Sequence, residues 1–160
     1  MTIPTSASAT LTIDATPELL YDLISDVTRM REWSPECTSC EWIDTPGEPG
    51  SRFRGHNRRG PARWTTTAKV LRADPGVEFT FATLHGDRIA TRWAYQLEGQ
   101  GPTVITESFE VVHTPLLFAV LERTILRRRQ AQLESGLHAT LEQLKRFAEA
   151  AQVARADEPR

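Results

Sequence analysis

The sequence predicts an α+β domain in which a curved antiparallel sheet is covered by one long C-terminal helix. Three observations predict it. About six strand-like runs lie between Cys37 and Val112, parted by closely spaced turn signals. One further strand and two short helical stretches precede them, and a long helical stretch follows them. Connections this short leave no room for crossovers, so each strand pairs antiparallel with the next.

The 160 residues and 18.0 kDa fit one domain. Its expected limits are residues 1–151, with 152–160 as a disordered tail lacking periodic apolar residues. Hydrophobic residues make up 39% and charged residues 25%, the balance of a chain that folds on an apolar core. At this length roughly two-thirds of the unfolded surface is buried, so folding requires neither disulfide nor metal.

Ala9, Leu11 and Ile13 alternate with Thr10 and Thr12, which predicts the opening strand. Thr16-Pro17 is a helix cap followed by proline at the first helical position. Leu19, Leu20, Leu23 and Ile24 give that helix its apolar stripe. A second short helix runs from Val27 to about Trp33 and stops before Pro35. Strands follow over Cys37–Ile43, Ser51–Arg58, Arg63–Arg72, Val77–Thr83, Arg88–Glu98 and Thr103–Val112. Thr114-Pro115 repeats the cap-plus-proline signature and opens the last helical stretch, which runs to about Ala151.

A single helix cannot fill the concavity of a strongly bent sheet, so a cavity between them is expected. Strand alternation decides what points into it. Phe53, Gly55 and Asn57 share one face of their strand, and Trp64, Thr66, Ala68 and Val70 share one face of the next. Val77, Phe79, Phe81 and Thr83 form a third inward set, and Thr91, Trp93, Tyr95 and Leu97 a fourth. Cys37–Ile43 is ambiguous, because Trp42 and Ile43 claim opposite faces. Trp33, at a helix end beside Ser34-Pro35, is the expected rim residue.

The last strand carries a misfit. Ile105, Phe109 and Val111 face inward, which puts Glu107 between them, and the same phase places His113 inward just before the helix cap. A carboxylate in an apolar interior needs a partner, water or a raised pKa. Glu107 is therefore read in three ways: a structural hydrogen bond to Asn57, Tyr95 or a hydroxyl, ligand orientation, or acid/base catalysis. His113 is read as a helix-entry histidine near the surface or as a second proton carrier. The aromatic side chains divide between core packing and pocket wall.

Several segments together carry a family resemblance: Glu32-Trp33-Ser34-Pro35, Gly50-Ser51-Arg52-Phe53-Arg54-Gly55-His56-Asn57-Arg58, Asp74-Pro75-Gly76, Trp93-Ala94-Tyr95-Gln96-Leu97 and Thr106-Glu107-Ser108-Phe109. From Thr10 to Ala150 the chain resembles the SRPBCC (START-like) superfamily, and within it the polyketide cyclase/dehydrase and lipid-transport branch. The resemblance implies a helix-grip fold, a seven-stranded antiparallel sheet wrapped around the C-terminal helix, and a hydrophobic ligand cavity. The superfamily is similarly a shared container for cyclases, lipid carriers, hormone-binding proteins and proposed toxins, so the resemblance implies no single catalytic signature.

Other chemistries have less support. Lysine and arginine total 19 against 21 acidic residues, which argues against nucleic acid as a partner. Arg58-Arg59 and Arg127-Arg128-Arg129 are then solvated faces. Cys37 and Cys40 have C-x-x-C spacing, but a strand follows them rather than a helix, and no second pair completes a zinc site. Phosphate-cradling glycine loops and serine-hydrolase and zincin motifs are missing, so no cofactor is expected. No signal peptide is legible at the N-terminus, and the longest apolar run, Leu116 to Leu121, is far shorter than the ~20 residues of a membrane span. A cytoplasmic protein without stable membrane insertion is expected.

The last helical stretch has two apolar stripes on nearly opposite sides, one through Leu117, Val120, Leu121 and Thr124, the other through Leu133, Leu137, Leu141, Leu144 and Ala148. A bend or break around Arg127–Gln130 is expected, leaving Leu116–Leu126 as a lid, a homodimer contact or a transient membrane-facing patch. Three functions follow. The first is a carrier or sensor that binds a small hydrophobic or aromatic metabolite or lipid, oriented by Asn57, Tyr95, Glu107 and His113. The second is an aromatase/cyclase or dehydratase using Glu107 or His113 to move protons. The third is a toxin-like protein-interaction role through Leu116–Leu126.

Overall fold

The computed structural model describes residues 6–113 and 122–158. Seven strands form one antiparallel sheet: β1 (Ser6–Ile13), β2 (Cys37–Trp42), β3 (Arg52–Arg59), β4 (Ala62–Asp74), β5 (Glu78–His85), β6 (Arg88–Gly99) and β7 (Thr103–Val111). Their spatial order is β1-β7-β6-β5-β4-β3-β2, so β2 to β7 are a meander and β1 closes on the last strand. Helix α1 (Pro17–Ser25) and a 3₁₀ helix (Val27–Glu32) connect β1 to β2, and helix α2 (Glu122–Ala156) ends the chain. This is the helix-grip arrangement.

The local chemistry explains the connections. The Thr16 side chain accepts from the Leu19 N–H at 3.3 Å and caps α1. Asp26 does the same for Thr28 at the start of the 3₁₀ helix. Gly76 and Gly86 adopt φ of +74° and +61° in the β4–β5 and β5–β6 turns, where a side chain would be strained.

The second half of α2 is anchored along β1. Lys145 Nζ donates to the Thr12 carbonyl, and Glu149 and Gln152 accept from the Asp14 and Thr16 N–H groups. Leu137, Leu141, Leu144 and Ala148 are buried on its inner face, in the same core as Leu20, Ile24 and Phe79. Among the described residues this end of the concavity is filled, and beside residues 135–140 of α2 a cavity remains.

Two expectations are corrected. Helix α2 continues to Ala156, beyond the Gln152 at which a tail was expected, because Gln152 itself bonds to the α1 cap. It also runs without interruption through Arg127–Gln130, so no break occurs there. The Thr114-Pro115 cap and most of Leu116–Leu126 lie outside the described residues. Among the described residues no helix is long and apolar enough to cross a membrane.

Candidate functional site

Register sets the site. On the concave face, Phe81, Trp93 and Phe109 stand opposite one another across β5, β6 and β7, and Phe79, Tyr95 and Glu107 form the adjacent row. Directly opposed side chains on neighbouring strands are within contact distance. The upper row is an aromatic wall: Phe81 stacks on Trp93 at 6.5 Å between centroids, and Trp93 meets Phe109 at 5.4 Å. Phe53 extends it edge-on, 5.3 Å from Phe81.

Against this wall lies a cavity of about 510 Å³. The sheet contributes Phe53, Asn57, Thr66, Phe81, Trp93, Tyr95 and Glu107. Helix α2 closes the opposite side with Ser135, Gly136, Leu137, Ala139 and Thr140, and Met30, Ser34 and Pro35 close the flank. Exposed Arg58 and Arg59 mark the mouth, where Arg59 Nη1 pairs with Glu36 Oε1 at 3.5 Å and Arg58 Nε donates to the Gly60 carbonyl.

Two glycines keep the space open. A Cβ at Gly55 would sit 3.1 Å from Thr66 Oγ1 and 3.5 Å from Cys40 Sγ. Gly136 has nothing within 4 Å of where a Cβ would point, although a glycine inside a helix costs roughly 0.5–1 kcal/mol relative to alanine. Gly136 thus gives up helix stability at a place where the helix faces empty space.

Glu107 is the polar centre. It is only 3% exposed. The Tyr95 hydroxyl donates to its Oε1 at 2.8 Å, and its Oε2 is buried without a hydrogen-bond partner. Burial pushes the carboxyl up to about 8, against the smaller downward pull of the Tyr95 hydrogen bond. Burial and the neighbouring Glu107 raise the Tyr95 phenol well above its ordinary value.

Of the residues expected at the site, Phe53, Asn57, Thr66, Phe81, Trp93, Tyr95 and Glu107 come together on the cavity wall. Phe79 and Phe109 share the concave face but are buried in the core and do not line the cavity, Phe79 edge-on to Tyr21 at 6.3 Å. Trp33 does not form the rim. It is 2% exposed in the core, and its neighbours Met30, Ser34 and Pro35 reach the cavity instead. Trp64 is 38% exposed near the β3–β4 hairpin tip, in a neighbouring recess with His56 and Arg63. His113 is exposed. The alternation ends at Val111, because the Val112 and His113 N–H groups both donate to the single Ala90 carbonyl.

Cys40 was missed as a wall residue. A bulge between Cys37 and Ser39 turns both thiols to one side of β2. Their Sγ atoms are 3.4 Å apart, and Cys40 lines the cavity. The hydrogen bond with Cys40 lowers the Cys37 thiol, while that same bond and burial raise Cys40. The ambiguous alternation of this strand was the available signal. Among the described residues no cluster of three His, Cys, Asp or Glu is placed to hold a metal.

The model of a protein family described as polyketide cyclase / dehydrase and lipid transport matches residues 4–149. No curated protein matches. Among solved structures, the polyketide-cyclase-like protein Cgl2372 of Corynebacterium glutamicum is 27% identical over 99% of this chain and all of its own, with a TM-score of 0.66. TTHA0849 of Thermus thermophilus is 20% identical over 96% of this chain and 99% of its own, also at 0.66. The di-domain aromatase/cyclase StfQ of the steffimycin biosynthetic pathway is 15% identical, with a TM-score of 0.71. The match covers 96% of this chain and 52% of StfQ. The last two likenesses are of fold.

Proposed function

The chain belongs to the polyketide cyclase / dehydrase and lipid transport family, and from that premise we propose that it binds a small hydrophobic or aromatic molecule between the sheet and α2, as a carrier or sensor. One observation carries this reading: an unfilled cavity of about 510 Å³ behind an aromatic wall, facing a helix that keeps a glycine where a side chain would fit. Ligand pockets span about 300–1,000 Å³ and combine apolar walls with a few polar groups. Phe53, Phe81 and Trp93 supply the apolar surface. Burial of ligand against them at ~25 cal/mol per Å² drives binding, and Asn57, Thr66, Tyr95 and Glu107 set the orientation.

Native mass spectrometry of the freshly purified protein tests this. The expected result is an extra mass of about a few hundred daltons that is lost on denaturation. An empty protein that also takes up no aromatic probe overturns the reading.

The Tyr95–Glu107 pair favours a second reading, a cyclase- or dehydratase-type enzyme. A buried acid bonded to a phenol can protonate a ligand oxygen, and a cavity can hold a reactive chain in one fold. Glu107→Gln separates the two. A carrier keeps binding and has no turnover to lose, whereas an enzyme keeps binding and loses turnover.

A further inference from the structure

We propose that Glu107, held by Tyr95, acts in the cavity as an uncharged hydrogen-bond donor and selects ligands that present a carbonyl or quinone oxygen. This rests on the binding reading above and names its ligand class.

The geometry decides the donor. The Tyr95 hydroxyl donates to Oε1, so Oε1 is occupied as an acceptor. A protonated carboxyl has one O–H, and that proton is left to Oε2. Oε2 is buried, has no partner, and belongs to a residue on the cavity wall.

The charge state follows from what surrounds the group. Tyr95 on β6 is the polar side chain bonded to it. Ala9 on β1 is its register partner on the other side, and the Phe79 that continues the row on β5 is apolar. From β2, Cys37 and Cys40 are the titratable groups, and Cys37 influences the Tyr95 phenol. On β3, Arg58 and Arg59 are at the mouth, engaged with the Gly60 carbonyl and Glu36. Among the described residues, those of α2 on the cavity are Ser135, Gly136, Leu137, Ala139 and Thr140, none of which titrates. No cation among the described residues forms an ion pair with Glu107. A buried carboxylate with one hydrogen bond and no counter-charge among the described residues is costly, so the group keeps its proton. Its elevated pKa has the same origin.

A ligand carbonyl satisfies this donor and brings no proton of its own. A hydroxyl can also accept, but its proton must then find a partner in a mostly apolar wall, and an unmet buried donor is penalised. A hydrocarbon leaves the Glu107 proton unmet.

Fluorenone, fluorenol and fluorene test this, because they share one rigid aromatic frame and differ at one position. Binding of each to the full chain is measured by calorimetry at pH 6.5 and pH 9. The expected result is that fluorenone binds about tenfold more tightly than fluorene at pH 6.5, with fluorenol weaker than fluorenone. The preference shrinks at pH 9, where the carboxyl ionises, and it does so equally in Cys37→Ser. Glu107→Gln keeps the preference through its amide N–H and loses the pH dependence. Glu107→Leu, checked for folding by circular dichroism, loses the preference while still binding fluorene. Equal binding of fluorenone and fluorene by the wild type, or an unchanged preference in Glu107→Leu, overturns the selectivity and leaves the binding reading standing. Failure of all three to bind overturns the binding reading itself.

Discussion

Tyr95 and Glu107 face each other directly across β6 and β7, joined by a 2.8 Å hydrogen bond from the phenol to Oε1. This bond holds the carboxyl's orientation and leaves its other oxygen buried and without a hydrogen-bond partner. Its partners are 12 residues apart in sequence, one on each arm of a hairpin.

Stability should depend on pH through Glu107. Its folded-state carboxyl is raised from 4.5 to about 8, so the folded state binds the proton more tightly than the unfolded chain. Its contribution is therefore complete below about pH 4.5 and is lost as pH rises through about 8. Between those limits the wild type should lose about 1.4 kcal/mol per pH unit relative to Glu107→Gln, which does not titrate. Urea unfolding of both proteins at pH 5, 6.5 and 8 measures the difference. Parallel curves would show that the carboxyl is not raised.

Tyr95→Phe should cost about 1–3 kcal/mol, because Oε1 loses its donor and the carboxyl then has both oxygens unmet. The Glu107 titration should move to higher pH, since the phenol pulls it down. Denaturant midpoints and a carboxyl-resolved NMR titration give the two quantities separately.

Gly136 should show opposed effects on stability and binding. Gly136→Ala should stabilise α2 by about 0.5–1 kcal/mol, because the added methyl meets no atom within 4 Å. Gly136→Leu should fold and occupy part of the cavity, so that fluorene affinity falls at least several-fold. A thermal melt and a binding isotherm on each variant make the comparison. Unchanged fluorene binding in Gly136→Leu would place the ligand elsewhere.

The two thiols should differ in reactivity. Cys37 is lowered by the hydrogen bond it shares with Cys40, so Cys40→Ala should raise its pKa and slow its alkylation by iodoacetamide near neutral pH. Peptide mass spectrometry of a time course follows each site. Faster Cys37 labelling is also informative, since it would mean that access past Cys40 controls the rate rather than thiolate content.

Most of the fold was legible because its signals are local. Thr16-Pro17 capped a helix where expected, and the alternation in β3, β5, β6 and β7 placed Phe53, Phe81, Tyr95 and Glu107 inward without reference to any distant residue. Alternation fails where the strand stops being regular. At Cys37–Ser39 a bulge redirected both thiols, and at His113 the pairing had already ended.

The order of elements, the concave face and the presence of one carboxyl among apolar residues are written in the local pattern of the chain. The tertiary structure alone decided which inward residues meet a cavity and which meet other side chains. Trp33 and Phe79 are as apolar as Trp93, yet both are packed into the core, Phe79 against Tyr21 of α1. It also decided the partner of Glu107, since Asn57 and Tyr95 were both eligible by face and only the β6–β7 register puts Tyr95 opposite. Facing follows from a period of two along one strand, whereas filling and pairing depend on atoms contributed from far along the chain.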